Sequence, residues 1–274
     1  MESILSKLKE RHTQFCTHLR HGWINVELHS YIKQLLSEKC EDENYSESMI
    51  VNCKSPVGKD SQENIRLKGK NLLGFVNSTK GAGTEWALQW TLVSSIALFE
   101  AFISDIATII YMSNPKYFLI NNQDRVIDCK ENHKVAKILI NSESREEALE
   151  KLIEEKLRSI FYGNPIDAFI KYNNKKHKDG NLKLNLDKVF HNECFYELQL
   201  YKEMVGRRNT IVHNVGIIDD KYIREVDNIC TKLSGGDKVR IDKDYSFSSL
   251  MILDNLAALY TKQVSVQIKE GTWS

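Results

Sequence analysis

The sequence predicts an all-α protein: a helical bundle with an N-terminal helical extension and a minor β element. Three features point there. Apolar residues recur three and four apart through much of the chain, cap and stop residues bracket those runs, and residues 86–112 form one long apolar segment that reads as a buried core helix.

Ile4, Leu8, Phe15 and Leu19, then Val26, Ile32, Leu35 and Leu36, set two amphipathic helices over residues 3–20 and 24–38. From residue 41 to 83 the periodicity fails. Glu41, Asp42 and Glu43 give way to Pro56 and five Gly, which predicts a loop or small ribbon with β-leaning stretches at 50–53 and 72–76. A long helix follows, capped by Thr84 and running to Met112, where Asn114-Pro115 stops it. Its length would span a bilayer, but Glu100, Asp105 and several Ser, Thr and Gln residues make protein the better surroundings. Further helices are predicted at 144–160, 165–173, 190–212, 219–233 and 247–268. Asn164 caps the second of these with Pro165 in its first turn, and Asp219 or Asp220 caps the fourth. The stretch from Gly235 to Tyr245 reads as a turn with one short extended segment. Residues 1–83 are thus the extension with its ribbon, and 84–274 the main helical domain.

Lys and Arg number 38 against 37 Asp and Glu, a net charge of +1. Such a chain does not hold a polyanion by its overall field, so any nucleic-acid contact has to come from a local patch. Glu2, Lys7, Lys9, Glu10 and Arg11 interrupt the N-terminal apolar residues and leave no secretory h-region. Cys16, Cys40, Cys53, Cys129, Cys194 and Cys230 lie far apart without a Cys-x-x-Cys pair. A cytoplasmic chain with reduced thiols and no membrane partner is expected.

The sharpest local feature is Arg207-Arg208-Asn209-Thr210-Ile211-Val212-His213-Asn214-Val215-Gly216, at the end of the helix predicted over 190–212. With ten Arg, 21 Asn and eight His in the chain, Arg-Asn-x-x-x-His arises by chance about 0.02 times. The match therefore carries information. Gly216 suits a helix stop, which leaves His213 in or near the last turn, where a basic side chain meets the negative end of the helix. Asn209 and His213 share a face; Arg208 and His213 lie about 140° apart and converge only near a fraying end or across a subunit contact. On the long helix, Ile96, Phe99, Ile103, Ile106 and Ile110 cluster about Leu92, with Glu100 inside that apolar arc and Asp105 on the more polar side. A carboxylate at such a position has to be paired or hydrogen-bonded.

Arg208-Asn209-x-x-x-His213, followed by Asn214, Gly216 and a capped helix, resembles the Arg-x4–6-His signature of HEPN (higher eukaryotes and prokaryotes nucleotide-binding) domains. The 86–112 helix, with Ser94-Ser95-Ile96-Ala97-Leu98-Phe99-Glu100, is similar to their long core helix, and the likeness covers roughly residues 84–270. It implies a metal-independent endoribonuclease in which two protomers bring their motifs to a shared cleft. His213 would act as general acid or base, Arg208 would hold the scissile phosphate, Asn209 would orient one or the other, and Glu100 would pair with Arg208 or Arg207. The products would carry 2′,3′-cyclic phosphate and 5′-hydroxyl ends. The biological role implied is that of a toxin or abortive-infection, anti-phage effector, with RNA as partner, a homodimeric state and an antitoxin protein as a further partner. The alternative is a HEPN-like module that binds RNA, a nucleotide or a protein without cleaving.

Lys175, Lys176 and Lys178, with Arg207, offer the local phosphate-binding patch that net charge withholds. No cofactor is expected. His12 and Cys16 share a helix face, but no ligand set with structural-zinc spacing follows them, so no metal is expected either. His191-Asn192-Glu193 lacks the Pro-Cys-x-x-Cys partner of zinc deaminases, Gly81-Ala82-Gly83 lacks the Lys and Ser/Thr of a phosphate loop, and no Gly-x-Ser-x-Gly is present.

Overall fold

The computed structural model describes residues 2–48, 50–54, 64–113, 129–161, 195–226 and 233–269. The protein is all-α. Its elements are α1 (Glu2–Cys40), α2 (Glu43–Ser48), β1 (Ile50–Lys54), β2 (Asn64–Lys68), α3 (Gly69–Ser113), α4 (Cys129–Ile140), α5 (Arg145–Phe161), α6 (Phe195–His213), α7 (Asp220–Val226) and α8 (Lys243–Lys269).

The chain divides into two compact units. The first comprises residues 1–19, 92–239 and 247–274; the second, residues 20–91 and 240–246. The boundary expected at 83/84 does not coincide with this packing. Leu8, Phe15 and Leu19 of α1 are buried, and Phe15 lies 5.0 Å from Phe102 and 5.9 Å from Phe99 between ring centres. The first part of α1, up to Leu19, therefore packs in the same unit as the residues of α3 from Leu92 onward. Phe99 in turn meets Tyr201 of α6 edge-on at 5.1 Å. This aromatic relay joins α1, α3 and α6, each such pair adding about 0.5–1.5 kcal/mol beyond its buried area.

In the first unit α3 supplies the spine, with Leu92, Ile96, Phe99, Ile103, Ile106 and Ile110 all buried, as their shared arc requires. The stretch Glu85–Ser113 is long and apolar enough to cross a membrane by length and composition. Leu253, Leu256, Tyr260 and Val264 of α8 and Leu198, Met204 and Val205 of α6 are buried in the same unit. In the second unit Lys243 at the start of α8 bonds Glu27 at 2.8 Å and lies over the Trp23 ring, while β1 and β2 pair antiparallel with Ile50 opposite Lys68.

Helix ends follow local chemistry. Ser144 Oγ accepts from Glu147 N–H at 3.1 Å ahead of α5, and Asp242 Oδ1 accepts from Tyr245 N–H at 2.7 Å ahead of α8, which begins four residues earlier than 247. Where the structure departs from expectation, glycine is the usual reason. One helix, α1, replaces the two predicted, because Gly22 costs only about 1 kcal/mol inside a helix and no Pro supplies a hard stop. For the same reason α3 starts at Gly69 and not at Thr84, so residues 72–76 are helical and the ribbon is β1–β2 alone. Helix α4 lay outside the predicted set, its apolar residues Val135, Ile138 and Leu139 being bunched near one end. The helix predicted at 165–173 lies outside the described residues.

Candidate functional site

Helix α6 carries the motif, and its two neighbours fix it through different charges. Arg208 Nη2 donates to Glu100 Oε1 of α3 at 2.6 Å, with 24% and 29% of the two side chains exposed. Directly beside this pair, Tyr201 of α6 is buried against Phe99. Seven residues separate Tyr201 from Arg208, two turns of helix, so both point to α3. Glu100 thus has the partner that its position in the apolar arc requires. Burial pushes its carboxyl above the usual carboxylate range, and the charge and hydrogen bond of Arg208 pull only part of the way back. Burial and the neighbouring Glu100 charge also push the Tyr201 phenol up.

Arg207 does not share in this. Its Nε donates to Glu203 one turn earlier, and Glu203 also accepts from the Tyr222 hydroxyl of α7 at 3.0 Å. Glu203 is buried and only 14% of the Arg207 side chain is exposed. This pair joins α6 to α7, a structural role beside the phosphate contact expected of Arg207. Sequence reasoning passed over Glu203, although its four-residue spacing from Arg207 was a visible signal. Gly206 lies where these helices approach. A Cβ there would stand 3.0 Å from Val226 and 3.1 Å from Tyr222. Gly206→Ala should therefore lower stability by about 1–2 kcal/mol, overpacking outweighing the better helix propensity of Ala. Urea unfolding should show a lower midpoint with an unchanged slope.

His213 is the last residue of α6 and is exposed. The helix does not fray before it, since Asn214 N–H still bonds Thr210 C=O at 3.0 Å. Gly216 N–H then reaches back six residues to bond the same carbonyl at 2.9 Å and closes the helix end, with Gly216 at φ +80°. The left-handed position just before it is held by Val215, at φ +54°. A β-branched residue is strained there by about 1–2 kcal/mol. Neighbouring bonds hold it in that state. Val239 N–H donates to Gly216 C=O at 2.8 Å, Ile217 bridges Lys238, and Asn214 Nδ2 donates to Asp219 Oδ2 at 2.7 Å. Asp219 caps α7 by accepting from Tyr222 N–H at 2.8 Å, and that bond together with Asn214 holds its carboxyl below the usual range. Val215 is 84% exposed, so Val215→Gly removes no core contact. The substitution should raise stability by about 0.5–1 kcal/mol, strain relief exceeding the entropy cost of Gly, and the rise should appear as a higher melting temperature.

The structure brings Glu100 to Arg208 and leaves His213 elsewhere. Arg208 and His213 are five residues apart on an unbroken helix, about 140° around the axis and about 7.5 Å along it. One chain does not direct both at a single phosphate. Asn209 is half-buried, one turn from His213 on its face. Arg208 Nε is buried with no hydrogen-bond partner among the described residues, so Glu100 does not occupy every donor of its guanidinium. Asp105 makes a surface ion pair with Arg11 at 3.7 Å. Lys175, Lys176 and Lys178 lie outside the described residues.

Comparison of the chain with protein-family models, with curated proteins and with solved structures gives no match.

Proposed function

We propose that the chain is a metal-independent endoribonuclease of the HEPN type, a cytosolic toxin or anti-phage effector that works as a homodimer. The observation that supports this most is His213: an exposed imidazole on the last turn of a helix whose end is fixed by Gly216 and Asp219, one turn from Asn209.

RNA brings its own nucleophile. The 2′-oxygen attacks the adjacent phosphorus, the P–O5′ bond breaks, and the products end in a 2′,3′-cyclic phosphate and a 5′-hydroxyl. One proton leaves the 2′-hydroxyl and one arrives at the 5′-oxygen. A two-fold arrangement of chains would supply an imidazole for each transfer and would bring Arg208 of one chain toward the His213 that its own helix turns away. Arg208, oriented by Glu100, would stabilise the charge on the phosphorane oxygens. Glu100 is a positioning residue in this scheme.

The inward pairing of Arg208 favours a second reading, a module that binds RNA or a protein without cutting it, with Glu100–Arg208 as a structural pair. Incubation of the protein with RNA in EDTA separates the two. Shortened RNA ending in a 2′,3′-cyclic phosphate supports the nuclease, while intact RNA retained on the protein supports the module and removes the nuclease.

A further inference from the structure

Helix α1 carries a second cluster of chemistry-bearing groups, independent of the motif. His12 and Cys16 are four residues apart and share a face, and Asp254 of α8, 238 residues away in sequence, closes on them. Cys16 Sγ stands 3.6 Å from His12 Nε2 and donates to Asp254 Oδ1 at 3.1 Å. The three ligand-type atoms all lie within 4.8 Å of one another. Phe102 walls one side, its ring 6.2 Å from that of His12. Among the described residues Cys16 forms no disulfide.

We propose that His12, Cys16 and Asp254 bind a Zn²⁺ ion that clips α1 to α8. The spacing fits. With Zn–S about 2.3 Å and Zn–N about 2.0–2.1 Å, a tetrahedral centre sets its sulfur and nitrogen ligands about 3.6 Å apart, and its sulfur and carboxylate oxygen about 3.5 Å apart. The first separation is met at 3.6 Å and the second needs Asp254 to move by a few tenths of an ångström from 3.1 Å. Asp254 is exposed, so that adjustment is open to it. A thiolate and an imidazole select a borderline-soft ion over Mg²⁺ or Ca²⁺. On binding, the Cys16 thiol loses its proton to solvent, and thiolate, carboxylate and dication sum to zero charge. Three protein ligands leave the fourth position to water.

The alternative arrangement of the same residue types, a nucleophilic thiol activated by a His that a carboxylate orients, is not what the atoms form. The carboxylate here contacts the sulfur and not the imidazole. Nor is the cluster part of the Arg208 site. On α3, Phe102, which meets His12, and Glu100, which meets Arg208, are two residues apart and so on nearly opposite sides of the helix. The expectation that no metal binds rested on sequence spacing alone, in which Asp254 could not be seen.

The test is titration of the full chain with Co²⁺ under a non-thiol reductant. One equivalent should give thiolate-to-cobalt charge-transfer absorption in the near ultraviolet, which Zn²⁺ then displaces. Cys16→Ser should abolish the band, and Asp254→Asn, at an exposed position, should weaken Co²⁺ binding at least tenfold with unchanged circular dichroism. Saturating Zn²⁺ should raise the melting temperature of the wild type by roughly 5 °C and leave that of Cys16→Ser unmoved. A band that persists in Cys16→Ser, or no band in the wild type, overturns the site. EDTA bleaches the cobalt signal but leaves the proposed cleavage running, so each reading fails separately.

Discussion

His213→Ala should lower the rate of RNA cleavage in EDTA by about 10²–10⁴-fold, the range that a single general acid or base contributes. Its effect on folding should be small. The imidazole is exposed on the last turn of α6, so its removal takes little from the core. The contrast between a large loss of rate and a nearly unchanged melting curve is the diagnostic. RNA affinity, measured by filter retention at fixed salt, should fall much less than the rate, because phosphate contacts carry the binding. A variant that cuts as fast as the wild type removes His213 from the chemistry, whatever Arg208 does. Mixing His213→Ala with a chain altered at Arg208 adds a second reading of the same idea. If the cleft is built from two copies, the mixed dimer should recover part of the activity that neither variant has alone.

The parts of this architecture that a linear pattern encodes were legible in the sequence. The apolar arc of α3 identified its buried face, and Glu100 within that arc called for a partner before any partner was known. Gly216 marked the end of the helix that holds His213, and Asp219 was one of two candidate caps for the helix after it. The parts that escaped depend on distance or on context. Nothing local distinguishes Gly22 inside a continuous helix from Gly216 ending one; tertiary packing decides, and a cost of about 1 kcal/mol per Gly is easily overridden. Phe15 joined the main core because Phe99 and Phe102 offered it a surface, which no window of a dozen residues contains. The strain at Val215 was hidden for a different reason. Its sequence neighbour Gly216 reads as the stop, yet the left-handed turn begins one residue sooner, and only backbone angles show it.

Arg208→Ala should cost stability as well as activity, and the pH dependence of that cost identifies its source. A fully buried ion pair that loses one partner costs about 3–5 kcal/mol; with about a quarter of each side chain still exposed, about 1–3 kcal/mol is expected. The cost falls on Glu100. Its folded-state pKa already lies above the unfolded value of 4.5, because burial outweighs what Arg208 returns. A raised carboxyl pKa favours the folded state while the group is protonated, so its contribution is full below the unfolded pKa and disappears as pH rises through the folded one. Taking Arg208 away lifts the folded pKa further and widens that window. The variant should thus approach wild-type stability at acid pH and diverge from it as pH climbs toward neutrality. Glu100→Gln in the Arg208→Ala background removes the charge that causes the divergence, and should restore part of the loss and flatten its pH dependence. The double-mutant cycle should return a coupling of about 1–2 kcal/mol at neutral pH, shrinking as Glu100 protonates. Activity then tells positioning from scaffolding. If Glu100 only packs, Glu100→Gln leaves cleavage intact in a folded protein. If it aims Arg208 at phosphate, kcat falls about tenfold or more while KM moves little, since the guanidinium keeps its charge and loses its orientation.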